Sequence, residues 1–126
     1  MLGMGKQEMW SVGERDTVID ALDRAVAAHP DRVLLDFSGE LFTYAEVDRL
    51  SNAMAHSLSD AGVKRGDTVV SMLDNNVDAI ISWLAVNKLR AVSVPINTAL
   101  RGMFLKHQVA DAGAEIVICE TDYVAV

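Results

Sequence analysis

The run Thr68-Val69-Val70-Ser71-Met72-Leu73 constrains this chain more than any other stretch, because its apolar residues do not alternate with polar ones. A strand with one wet face reads with period two, whereas a strand covered on both faces reads as a continuous apolar stretch. Such a strand needs helices above and below it, and the flanking sequence supplies them. Asp74-Asn75-Asn76 gives the turn and cap of a helix whose Val77, Ile80, Ile81, Leu84 and Leu89 face a core. A second apolar strand, Ala91 to Val94, stops at Pro95. A helix over Leu100 to Ala112, with Leu105, Val109 and Ala112 on one side, ends at Gly113, and Glu115 to Cys119 reads as a third inner strand.

Upstream, Val18, Leu22, Ala25 and Val26 recur at helical spacing behind a Thr17/Asp20 capping arrangement, and His29-Pro30 ends that helix. Val33 to Phe37 and Leu41 to Thr43, joined by Ser38-Gly39-Glu40, read as a hairpin. Thr43 opens a capping box with Glu46. The stripe Val47, Leu50, Met54, Leu58 and Ala61 follows, and Gly62 closes the helix as a left-handed cap. Strands separated by helices of this length imply right-handed crossovers and a parallel sheet. The expected fold is therefore α/β and layered, a largely parallel sheet with flanking helices plus a small β-hairpin. Residues 1–16, with Gly3, Gly5 and Gly13 and no sustained period, read as a flexible arm, and residues 17–126 as one α/β subdomain.

Composition narrows the function classes. With 11 Lys+Arg against 18 Asp+Glu the formal net charge is −7, which argues against nucleic-acid binding, where cations must neutralise phosphates. Asp74, Asp78, Lys88 and Arg90 interrupt the most hydrophobic stretch before it reaches the roughly 18 apolar residues of a membrane span. Met1 to Glu8 holds no apolar block of signal-peptide length, so the expected location is cytoplasmic. The single cysteine, Cys119, sits in an apolar run without a neighbouring cation to favour its thiolate, and reads as a buried, reduced thiol.

Few residues suggest chemistry. Gly5-Lys6-Gln7 lacks the glycine spacing and the hydroxyl residue of a phosphate loop. Arg65-Gly66-Asp67 reads as a turn before the strand rather than an adhesion signal. His29, His56 and His107 have no ligand-spaced partners, so no metal site is expected. Trp83 either packs in the core or walls a ligand site. Asn97 either caps the next helix or contacts a ligand beyond the carboxyl end of an inner strand, where open parallel sheets bind their ligands. Trp83 and Asn97 are the two candidate substrate-binding residues, and no residue qualifies as catalytic or cofactor-binding.

Four segments, in this order and spacing, resemble the start of an acyl-CoA synthetase of the acyl-adenylate-forming, AMP-binding superfamily. They are Thr43-Tyr44-Ala45-Glu46-Val47, Gly62-Val63-Lys64-Arg65-Gly66-Asp67, Leu73-Asp74-Asn75-Asn76 and Ala91-Val92-Ser93-Val94-Pro95-Ile96-Asn97. Thr98-Ala99-Leu100-Arg101-Gly102 is similar to bacterial fatty-acyl or carnitine-type CoA ligases. The resemblance implies a two-step reaction in the parent enzyme. A carboxylate attacks the α-phosphate of ATP to give an acyl-adenylate and pyrophosphate, then the sulfur of coenzyme A displaces AMP, with magnesium shielding phosphate charge.

Two positions depart from the family pattern: Arg90 stands where glycine is usual and Met103 where an acidic residue is common. The family's phosphate loop and its mobile C-terminal domain have no counterpart in these residues, so the resemblance implies an N-terminal segment, inactive alone. The remainder of the parent is its implied partner, and an open edge near Ile116 to Cys119 implies self-association. Two other readings compete: a truncated paralogue kept as an interaction or scaffold module, and a signalling receiver. Asp74 could imitate a receiver's phospho-acceptor, but no acidic pair follows Val33 to Leu35 and no lysine follows Ile118.

Overall fold

The computed structural model describes residues 17–124. The arm expected over residues 1–16 lies outside the described residues. In chain order the elements are α1 (Val18–Ala28), β1 (Val33–Phe37), β2 (Glu40–Thr43), α2 (Tyr44–Asp60), β3 (Thr68–Met72), α3 (Val77–Lys88), β4 (Val92–Pro95), α4 (Gly102–Ala112), β5 (Ile116–Cys119) and a 3-10 turn (Thr121–Tyr123). β1 and β2 pair antiparallel, and β3 lies between β4 and β5 in a parallel three-stranded sheet, Val70 opposite Val94 on one side and Val117 on the other. The layered α/β architecture read from the sequence is the one observed.

Local chemistry sets the boundaries. Thr17 accepts from the Asp20 amide at 3.2 Å while the Asp20 carboxylate accepts from Thr17 N–H at 2.9 Å, and the Thr43/Glu46 pair repeats this reciprocal cap at 3.1 and 3.3 Å. The hairpin turns through Ser38 (φ 54°) and Gly39 (φ 92°), with Asp36 Oδ1 accepting from Gly39 N–H at 2.9 Å. Successive positive φ values match the twist that two-residue hairpins require. Asn76 caps α3 by accepting from the Ala79 amide at 3.1 Å.

Two helices end in the same way. Beyond α2, Val63 N–H donates to Leu58 O and Gly62 N–H to Ser59 O, both at 3.0 Å, while Leu58 and Val63 are buried in one cluster. Beyond α3, Ala91 N–H donates to Val86 O at 3.1 Å and Arg90 N–H to Asn87 O at 3.0 Å. Both are paired 6→1 and 5→2 caps, which demand a left-handed residue just past the helix. Gly62 supplies φ 105° without a Cβ penalty; Arg90 supplies φ 56° despite one. The departure at Arg90 thus falls on a position whose backbone favours glycine.

The core lies on one side of the sheet. Ala55 and Leu58 of α2, Ala85 and Val86 of α3, Val63 and Val69 form one buried cluster, joined by the inward faces of Ile116 and Ile118. Leu22, Val47, Ile81 and Leu84 form a second cluster beneath the hairpin. Lys88 locks the two long helices together, its Nζ donating to Asp48 Oδ1 at 2.6 Å and Asn52 Oδ1 at 2.7 Å. On the opposite side, Val70 and Met72 are buried, yet α4 over them buries none of its own side chains.

Two expectations need correction. β4 and β5 are not inner strands: among the described residues each pairs only with β3, and Val92 and Val117 are 50% and 43% exposed. Their apolar sequences have a pairing partner on one side only, and no helix fully covers them. The fourth helix starts at Gly102 rather than Leu100, because Asn97 O accepts from Leu100 N–H in a turn and Arg101 donates to the Thr98 and Leu100 carbonyls.

Candidate functional site

A parallel sheet brings the loops after its strands to one end, and ligands of such folds gather there. Here the loops are Leu73–Asn76 after β3, Ile96–Arg101 after β4 and Glu120–Val124 after β5, and they are knitted together by polar side chains. Asn76 Nδ2 donates to Glu120 Oε1 at 2.7 Å, and Asp74 N–H reaches the same oxygen at 3.4 Å. The Tyr123 hydroxyl donates to Asp74 Oδ1 at 2.8 Å, and the Arg101 guanidinium lies 5.1 Å from the Tyr123 ring centroid. The hydrogen bond to Asp74 pushes the Tyr123 phenol above its ordinary pKa, since it favours the protonated form; Thr98 and the charge of Arg101 pull the other way.

Beside this cluster, a cleft of about 280 Å³ between β3, β4 and α3 is walled by Ser71, Ile80, Trp83, Ser93, Pro95 and Ile96. Trp83 is 44% exposed and stands outside the core clusters. It also walls an apolar cleft of about 360 Å³ on its other side, against Leu22, Ala25, Leu34 and Tyr44. Asn97 is exposed and turned to its own loop: Oδ1 accepts from Ala99 N–H at 2.8 Å, an Asx turn before α4 rather than its cap. The structure therefore places Trp83 on a cleft wall and leaves Asn97 outside that wall. Tyr123, Glu120 and Arg101 were not singled out by sequence reasoning, although their place just after a strand or before a helix at one end of a parallel sheet was a usable signal.

Among the described residues no three His, Cys, Asp or Glu side chains come together at ligand distance. Gly62, Gly66 and Gly113 line a cleft of about 450 Å³ at the opposite, amino end of the sheet, one glycine per separate turn. There Arg65-Gly66-Asp67 forms the expected turn, with Asp67 Oδ2 accepting from Lys64 N–H at 2.8 Å and Gly66 at φ 86°. No described helix is long and apolar enough to cross a membrane. Among the described residues no His, Cys or carboxylate cluster fits the cation of a nucleoside triphosphate.

Residues 22–126 match the model of the AMP-binding enzyme family. The chain belongs to that family. It is 33% identical over 104 residues to mouse long-chain fatty acid transport protein 6, covering 81% of this chain and 17% of that protein. It is 31% identical over 107 residues to Arabidopsis thaliana oxalate–CoA ligase, covering 83% and 21%. Its fold matches the artificially fused adenylation–PCP di-domain NpsA-ThdA of Klebsiella oxytoca with a TM-score of 0.81 at 30% identity, covering 87% of this chain and 20% of that one. The chain thus spans about a fifth of the length of these AMP-binding relatives. Within the family frame, Arg90 holds its left-handed cap and Met103 is 83% exposed on α4, so neither departure disturbs the buried core.

Proposed function

We propose that this chain is the N-terminal part of an ATP-dependent carboxylate–CoA ligase, with a fatty acid as the carboxylate, and that it does not catalyse adenylation alone. The observation that carries this reading is the family match over residues 22–126, with the chain spanning about a fifth of the length of its relatives. ATP, magnesium and coenzyme A enter as reagents of the parent enzyme. Trp83, on the wall of the cleft between β3, β4 and α3, is the residue best placed to meet substrate, with Asn97 second. The cytoplasm is the proposed compartment, and the described residues 17–124 form one subdomain.

The test is pyrophosphate release from ATP with a mixture of fatty acids. It is expected to be absent for these 126 residues and present for a chain extended to the length of the relatives; release by the short chain refutes the reading. An adenylation role in peptide synthesis is a second reading, favoured by the likeness to the Klebsiella oxytoca di-domain. Amino acids or aryl acids replacing fatty acids as the substrates that release pyrophosphate would select it. The edges of β4 and β5, unpaired among the described residues, and the exposed Met103 and Phe104 support self-association of the chain. Sedimentation velocity is expected to show a mass rising with micromolar concentration, and a constant monomer mass removes that element.

A further inference from the structure

The two outer strands of the parallel sheet end it in different ways. Among the described residues β4 and β5 each pair only with β3. Alternate residues of a strand turn their peptide groups to opposite neighbours, so the bonds already made identify the groups left over. Val92 N–H donates to Asp67 O at 2.7 Å and Ile96 N–H to Ser71 O at 2.8 Å, which turns Val92, Val94 and Ile96 toward β3 and leaves Ser93 and Pro95 facing outward. Pro95 has no N–H to offer, and a proline at an outward position blunts an edge against further pairing.

The β5 edge carries no such guard. Glu120 N–H donates to Met72 O at 3.4 Å, so Ile116, Ile118 and Glu120 turn their peptide groups to β3 while Glu115, Val117 and Cys119 present theirs outward. Val117, the middle of these, is 43% exposed, and Ile116 and Ile118 are only half-buried although they pack against the core of α2 and α3. The turn after β5 bends back to the end of β3, where the Tyr123 hydroxyl bonds Asp74, and so leaves the edge uncovered.

We propose that the edge of β5 takes a second copy of this chain, the two β5 strands pairing antiparallel about a two-fold axis at Val117. This rests on the self-association proposed above and supplies its route. An edge whose outward residues each offer one donor and one acceptor is its own complement after a half-turn, which is the isologous contact of a symmetric dimer. The outward set fixes the register: Val117 lies opposite its own counterpart, Ile116 opposite Ile118, and Glu115 opposite Cys119. Opposed β-branched side chains of this kind stabilise a strand pair. The two three-stranded sheets become one of six strands whose outer edges are both β4, each closed by Pro95, so assembly stops at the dimer.

Sedimentation velocity and cysteine cross-linking of the 126-residue chain test this. Val117→Lys sets two ammonium groups opposite each other and is expected to weaken association about tenfold or more, since the dimer carries the change twice. Met103→Ser combined with Phe104→Ser alters the exposed apolar pair on α4, leaves the edge intact and is expected to leave association unchanged. In a Cys119→Ser background, Val117→Cys is expected to give a disulfide-linked dimer under mild oxidation, because directly opposed residues bring their Cα atoms to about 5.5 Å. Val92→Cys, on the β4 edge, is expected to stay unlinked. Association of the Val117→Lys chain as strong as the parent's, or linkage through Val92→Cys equal to that through Val117→Cys, overturns the β5 route while self-association stands. A parent chain that stays monomeric overturns both.

Discussion

The two sides of the parallel sheet differ in how their helices are held. On one side α2 and α3 bury Ala55, Leu58, Ala85 and Val86 against Val69, and Lys88 adds a half-buried cross-link to Asp48 and Asn52. On the other side α4 covers Val70 and Met72 but buries nothing of its own. Both helices carry apolar residues at helical spacing. α3 is apolar over most of its circumference, with Trp83 and Val86 added to Ile80, Ile81, Leu84 and Ala85, whereas α4 offers mainly Leu105, Val109 and Ala112. Periodicity thus makes the helix, and the density of the apolar face decides how firmly it is kept, because stabilisation scales with apolar area removed from water.

The largest effect should separate the two sides directly. Leu84→Ala on α3 is expected to destabilise the fold by about 3 kcal/mol, the middle of the range for a buried leucine, while Leu105→Ala on α4 is expected to cost under about 1 kcal/mol. Urea unfolding midpoints at constant slope measure both. Equal losses would mean that α4 is as well packed as α3.

A second contrast runs between the two paired helix caps. Gly62→Ala forces a Cβ into φ 105° and is expected to cost about 1–2 kcal/mol. Arg90→Gly relieves the same kind of penalty at φ 56° and is expected to stabilise by about 1 kcal/mol. Opposite shifts in thermal midpoint confirm that the two caps share one geometry; a loss on Arg90→Gly would show that the arginine side chain contributes more than its backbone costs.

The smallest effect concerns the weak side alone. Tyr123 has a raised pKa in the folded chain, chiefly because its hydroxyl donates a hydrogen bond to Asp74. The neutral phenol is the favoured form, so its contribution is fully present below the unfolded tyrosine value of about 10 and is lost as pH rises through the raised folded value. A phenolate absorbance titration in a Tyr44→Phe background is expected to show Tyr123 ionising at lower pH in Asp74→Asn than in the parent. No change on substitution would dissociate the hydroxyl from Asp74.

Much of this was legible in residues alone. Thr17/Asp20 and Thr43/Glu46 announced two helix starts because a capping box is satisfied within three residues, and Gly62 announced a helix end because left-handed backbone suits few residues. Trp83 was ambiguous for a physical reason: an aromatic among Ile80, Ile81 and Leu84 reads as core, yet it lies outside both core clusters on the walls of two clefts and is 44% exposed. The polar cluster at the carboxyl end was harder to see. Asp74 and Tyr123 are 49 positions apart, and no local pattern couples residues at that distance.

The sequence by itself determined the elements, their order and the layered class, because caps, turns and apolar periodicity act over three to seven residues and need no distant partner. Tertiary structure decided which strand is central, which helix face stays exposed and how Asp74, Arg101, Glu120 and Tyr123 converge. Those features depend on pairing choices between segments remote in the chain. Whether apolar strands such as β4 and β5 become edges or interiors depends on what else packs beside them.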